Sequence, residues 1–307
     1  MALNYDQVTA ITEKYILPKT TDNIFDSNIL LKRAKTKGWY ERIDGGEKII
    51  YPLEYAQLTA GGWYSGADIL STTDNQTITG AEVNWKQLYK NISIRRDEEL
   101  KNSGKRAIVN LVKSKMRSAE KGMRDDLGTG LFSNATDANS IVGLRQWVAT
   151  SNSPGGISQS SYSWWQSNVD SSTTTLSLSA MNTVFNDAAI DNDQPTFGVT
   201  TRAIHGLYYA LLQPQQRFVD SETAKGGFTN LMFNGIPLAI DSHTTAAHLF
   251  LLNENYLKLT AHRDEDMRFD GFVKPTNQNV RVAKLYWAGA FGSTNNRMHG
   301  LLSAITS

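Results

Sequence analysis

The stretch that decides the fold is GKRAIVNLVKSKMRSAEKGMRDDLGTG, residues 104–130. Ile108, Leu111, Val112, Met116, Ala119, Met123 and Leu127 recur in it at three- and four-residue steps, which is one face of an α-helix. Lys105, Arg106, Lys113, Arg117, Lys121 and Arg124 occupy the other faces, and Gly128 and Gly130 read as the stop. From Gly104 to Leu127 the helix would be about 35 Å long. No second helix of similar length adjoins it, so it reads as a strut and not as a bundle member.

N-terminal to the strut the pattern is β. Lys48 to Tyr55 is rich in strand formers, with Pro52 demoting it to an edge strand. Ala81 to Ile94 reads as one long second strand. Between them lie Gly61-Gly62-Trp63-Tyr64-Ser65-Gly66 and a polar run from Ser71 to Gly80. Two long strands around a glycine-rich, aromatic tip predict a protruding hairpin. An isolated hairpin buries too little to hold itself, so Trp63 and Tyr64 need a cover, from this chain or a neighbour.

Residues 1–44 read as an arm. Val8, Ile11, Tyr15 and Ile16 have helix-like spacing that Pro18 stops, and a basic run, Lys32 to Lys37, follows two small apolar anchors. That run is either a solvated linker or a segment lying against a partner. The candidates for contact between subunits are Trp63, Tyr64, Trp85, Lys32, Arg33 and Lys35.

C-terminal to the strut, a Ser- and Gly-rich passage carries Tyr162, Trp164 and Trp165. Ser177 caps a helix bearing Met181, Val184, Phe185 and Ala188. A buried strand at Pro195–Thr201 leads into a helix, Arg202 to Leu212, ended by Pro214. Short strands follow at Leu231–Phe233, Ile236–Ile240, Leu249–Leu252 and Leu257–Ala261, and Val280 to Ile305 reads as two strands around Gly292 to Asn296. Strands and helices mix without a βαβ rhythm or an internal repeat. The class is α+β.

The 307 residues carry 31 Lys or Arg against 30 Asp or Glu, a net charge of +1. That balance excludes holding nucleic acid by bulk positive potential, though not by a local patch. With no cysteine there are no disulfides, thiolate metal sites or cysteine nucleophile. No apolar run approaches the roughly 20 residues of a membrane span, and the N-terminus lacks a signal-peptide pattern.

Catalytic motifs fail on context. His262-Arg263-Asp264 has no kinase companions, and Gly128-Thr129-Gly130 follows a helix and lacks the third glycine of a dinucleotide fingerprint. Asp241, His243 and His248 are the best metal candidate. The histidines are five apart, however, on different faces of a helix or strand, so they read as turn and surface residues. No catalytic, cofactor or metal residue is assigned.

Five stretches in order carry a resemblance. They are Tyr162-Ser163-Trp164-Trp165-Gln166, Asp193 to Val199 (DQPTFGV), Phe233 to Asp241 (FNGIPLAID), Leu251 to Leu257 (LLNENYL), and Trp287-Ala288-Gly289 leading to Asn295-Asn296-Arg297-Met298-His299-Gly300. From about Ile50 onward the chain resembles tailed-phage major capsid proteins of the Hong Kong 97-type fold. The resemblance implies an N-terminal arm over 1–44 and an extended loop over 45–92. It also implies a peripheral domain with the spine helix over 93–150, an axial domain over 151–278, and closing peripheral strands over 279–307. It implies hexamers and pentamers of the chain in an icosahedral shell around double-stranded DNA, assembled in the host cytoplasm. Portal and separate scaffolding or decoration proteins would be partners, with no cofactor and no membrane. Some relatives cross-link lysine to asparagine; here Lys48, Asn295 and Asn296 read as polar surface residues. The rival readings are an encapsulin-type cellular compartment, a metal-assisted hydrolase on Asp241, His243 and His248, and a nucleic-acid-binding module.

Overall fold

A computed structural model describes residues 28–101, 105–134, 137–212 and 231–306. Helix α1 (Ile29–Lys37) starts where Asn28 Oδ1 accepts the backbone N–H groups of Leu30 and Leu31, at 3.0 and 3.2 Å. It ends at Gly38, whose φ of 79° is the left-handed cap. Leu30, Leu31 and Ala34 are buried beneath it. The basic run is therefore the outer side of a packed helix, not a linker, because those three apolar residues give it a face to bury. The part of the expected arm before residue 28 lies outside the described residues.

The strands that follow are β1 (Tyr40–Ile43), β2 (Ile49–Glu54), β3 (Ile78–Val83) and β4 (Lys86–Arg95). The single strand expected over Ala81–Ile94 is thus two. Among the described residues β3 pairs with β2 alone, and β4 pairs with a distant C-terminal strand. Asn84 and Trp85 make the break, where Trp85 Nε1 donates to the Gly46 carbonyl at 2.8 Å and pins the corner. The protruding segment consequently closes at Val83, short of the expected residue 92.

A short helix α2 (Arg96–Lys101) precedes the strut, α3 (Lys105–Phe132). Val112, Met116, Ala119, Met123, Leu127 and Leu131 form its buried stripe. Leu111 is only partly buried. The helix runs through Gly128 and Gly130 instead of stopping there. A Cβ on Gly128 would sit 2.7 Å from the His243 ring and 2.8 Å from Asn28 Nδ2, so these glycines serve close approach inside the helix.

The remaining elements are α4 (Leu144–Trp147), β5 (Asn168–Asp170), α5 (Leu178–Asp187), β6 (Phe197–Thr200), α6 (Arg202–Leu212), β7 (Leu231–Phe233), β8 (Ile236–Ile240), β9 (Leu249–Leu252), β10 (Leu257–Val273), β11 (Val280–Ser293) and β12 (Gly300–Leu302). Ser177 caps α5 as expected, its Oγ accepting the Ala180 N–H at 3.1 Å. The residues after Leu212, Pro214 included, lie outside the description until Leu231.

The strands of the described residues form three sheets. The order β1-β10-β11-β4 forms one, β5-β12-β9-β6-β8-β7 a second, and β2-β3 a third. This divides the chain differently from the expected 151–278 and 279–307. β10 belongs to the four-stranded sheet with β4 and β11, whereas β12 crosses into the six-stranded one. The last two strands are therefore not a hairpin. Hydrophobic alternation on β9 explains how two cores share one sheet. Phe250 and Leu252 face the core built on α3, while Leu249 and Leu251 face a second core with α5 and α6. Buried on both sides, β9 reads as an unbroken apolar run.

Candidate functional site

Residues 55–77, which link β2 to β3, leave the body of the protein. Their root is clamped. Ile49, Tyr51 and Leu53 alternate inward along β2, and Tyr51 Oη bonds Thr260 Oγ1 of β10 at 3.1 Å. Burial pushes the Tyr51 phenol up to about 12. Tyr55 stacks on Trp164, with ring centroids 4.9 Å apart. That contact gives the aromatic cluster of the Ser-rich passage its place.

The tip is different. Trp63 is 106% exposed and Ile69 100%, and Leu58, Tyr64 and Leu70 are exposed beside them. Polar bonds alone give the tip its form. Ser65 N–H donates to Asp68 Oδ2 at 2.8 Å, Thr59 N–H to Asn75 Oδ1 at 3.3 Å, and Asn75 Nδ2 to the Gln57 carbonyl at 3.2 Å. Five large apolar side chains in water favour being covered, by roughly 25 cal/mol for each Å² of apolar surface removed.

The expected contact residues separate into three groups. Trp63 and Tyr64 stand on the exposed tip. Lys32 and Lys35 lie on the outer side of α1. Arg33 and Trp85 are half-buried and have partners within the chain. Arg33 Nε donates to Glu254 Oε1 at 2.7 Å, and its guanidinium lies 4.2 Å over the Phe197 ring. Trp85 packs edge-on against His262 at 5.5 Å, in addition to its bond to Gly46. Each has a polar partner and a ring contact from elsewhere in the sequence. Of the residues considered for cross-linking, Lys48 pairs with Glu82 at 2.6 Å, and Asn296 is fully buried rather than on the surface.

Asp241, His243 and His248 do not converge. Asp241 Oδ1 accepts both the backbone N–H and Nδ1 of His243, each at 2.9 Å, while His243 Nε2 faces Asp125 Oδ1 of α3 at 3.3 Å. His248 instead donates from Nδ1 to the Ala246 carbonyl at 2.7 Å, and burial lowers its pKa. Among the described residues no group of three His, Asp or Glu side chains is placed to hold a metal ion. Asp241, His243, Lys32 and Arg202 line a cleft of about 650 Å³ at the start of α6. The bridge from Asp125 to His243 was not legible in the sequence, since 118 positions separate the two.

No family model matches the chain, and no curated protein matches it. Solved structures do. The capsid asymmetric unit of cyanophage A-1(L) is similar at a TM-score of 0.69 and 17% identity, over 89% of this chain and 92% of that one. The capsid of a native GTA particle is similar at 0.62 and 11%, over 89% and 90%. The SrpI encapsulin of Synechococcus elongatus PCC 7942 is similar at 0.57 and 10%, over 87% and 84%. The chain has the Hong Kong 97-type fold. At these identities what is shared is the path of the chain. The α+β class read from the sequence agrees with it.

Proposed function

We propose that the chain is the major capsid protein of a tailed double-stranded DNA phage, self-assembling as hexamers and pentamers into an icosahedral shell. The observation that carries this reading is the loop 55–77, clamped at its root and apolar at its tip, where Trp63 and Ile69 stand fully exposed. A neighbouring copy is the cover that such a tip fits. Closed symmetry lets one patch be reused by every subunit, and many modest contacts then hold each copy in place. The likeness to capsid structures supports the same conclusion. In this reading residues 45–83 are the extended loop, α3 with the four-stranded sheet is the peripheral domain, and the six-stranded sheet is the axial domain. A portal, a separate scaffolding or decoration protein and packaged DNA are its partners, and assembly takes place in the host cytoplasm.

The likeness to an encapsulin supports a second reading, a cellular compartment shell. Electron microscopy of the protein expressed alone tests both. Closed hollow particles are expected, and a monodisperse monomer at every concentration overturns both readings. Proteomics of native particles separates them. Portal and tail proteins accompany a phage shell, and an enzyme cargo accompanies a compartment.

A further inference from the structure

Although the chain as a whole carries only +1, residues 105–124 hold seven Lys or Arg against one Glu, a net of +6. One of these cations, Lys115, is paired with Glu98 at 3.1 Å. Lys113, Arg117, Lys121 and Arg124 make no ion pair, hydrogen bond or ring contact among the described residues. Lys113, Arg117 and Lys121 are exposed, and Arg124 is half-buried. At 100° per residue the four fall within an arc of about 80°, and they extend about 16 Å along the helix. They form a stripe on the flank beside the buried face of α3. Glu120 lies at the edge of the stripe, and the acids beyond it are engaged elsewhere: Asp126 with Lys90 at 2.6 Å, and Asp125 with His243.

We infer that this flank of α3 is a binding surface for the sugar–phosphate backbone of double-stranded nucleic acid. Like charges four residues apart stand 5–6 Å from one another and repel, by about 0.2–0.5 kcal/mol for each pair. Such a row is relieved by a polyanion of matching pitch. The flank's other residues include Asn110, Ser114 and Ser118, exposed and polar, with Glu120 and Asp125 as its acids. A folded protein partner would need apolar anchors in the centre of its contact, and single strands would need aromatic stacking platforms. The flank has neither. What it offers is a run of point charges that read no sequence, which is the chemistry of phosphate contact alone. The identity of the polyanion as packaged DNA rests on the shell reading above; the binding itself does not.

The test compares the full chain with a variant carrying Lys113→Gln, Arg117→Gln, Lys121→Gln and Arg124→Gln, with the helix content of both checked by circular dichroism. The probe is a fluorescent 20-base-pair DNA duplex of arbitrary sequence, titrated as a function of salt. Four phosphate contacts give a slope of log K against log salt of about −3 to −4, a loss on the order of 100-fold between 50 and 200 mM. The variant is expected to bind at least 10-fold more weakly at 50 mM, with a slope near zero. Equal binding and equal slopes overturn the inference, as does an equal loss on neutralising Lys32 and Lys37 instead. A variant that binds the duplex normally but fails to form particles also overturns it, by assigning the stripe to a protein neighbour. Because the titration is done on unassembled chain, absence of particles in both proteins counts against the shell reading only.

Discussion

The backbone N–H of Asn253 donates to His299 Nδ1 at 3.2 Å. In the neutral ring that leaves the proton on Nε2, which donates to Ser293 Oγ at 3.0 Å. Three chain segments meet there: the end of β9, the end of β11 and the approach to β12. His299 is fully buried, and burial pushes its pKa down to about 3.

This joint makes the fold acid-sensitive. An unfolded histidine takes a proton near pH 6.5, whereas the folded one resists until about 3. Its contribution is therefore complete above about 6.5 and is lost as pH falls from there towards 3. Urea denaturation of unassembled chain between pH 7 and 4 should show wild type losing up to about 1.4 kcal/mol per pH unit more than His299→Asn. Parallel slopes for the two proteins would contradict the assignment.

Two glycines in α3 should respond to alanine with opposite signs. Gly122 faces only the flexible end of Lys90 at 3.0 Å, so Gly122→Ala should stabilise by up to about 1 kcal/mol through helix propensity. At Gly128 the new methyl meets the His243 ring at 2.7 Å, and Gly128→Ala should cost roughly 1–3 kcal/mol. Thermal melts of both variants read the contrast.

Met123 is fully buried on the stripe, and Met123→Asp places an unpaired charge in the core. It should abolish soluble folded protein. Leu111 lies only partly buried on the margin, so Leu111→Asp should be destabilising yet still give a helical product. Expression, solubility and circular dichroism distinguish the two outcomes.

Trp63→Ser with Tyr64→Ser should leave the melting of the isolated subunit within about 0.5 kcal/mol of wild type, because both side chains are exposed. Particle yield should fall steeply. Deleting 58–74, which stops short of β3, should do the same, as measured by sedimentation and microscopy. Normal particles from either protein would show that the tip is dispensable.

Arg33→Ala strips the partner from Glu254, which is 6% exposed. The stranded carboxylate should cost roughly 3 kcal/mol. Arg33→Ala combined with Glu254→Met should recover most of that loss. Denaturant midpoints of the single and double variants check it.

Local pattern made much of the architecture legible. The stripe from Val112 to Leu127 shows directly as a three-and-four periodicity, Ser177 announces its helix, and the run Leu249–Leu252 reads as a buried strand. Each of these follows from a residue's relation to neighbours a few positions away. The tip was legible for the same reason, since glycines around Trp63 and Tyr64 have no local partner to hide them.

Other features depended on distant partners. Residues 81–94 look like one strand because alternation continues through the break, and only the separate pairings of β3 and β4 divide them. Gly128 looks like a helix stop because glycine is costly in a helix, and the ring of His243 pressed against it reverses that meaning. Arg33 looks like an exposed cation until Glu254, 221 positions on, takes it inward. The residues alone marked the stripe of α3, the start of α5 and the buried strand β9, because such preferences are set by steric fit and periodicity within a few residues. Tertiary structure alone decided which strands share a sheet and which charged residues are satisfied within the chain. Pairing, burial and ion-pair geometry are properties of surfaces that meet only once the chain has closed on itself.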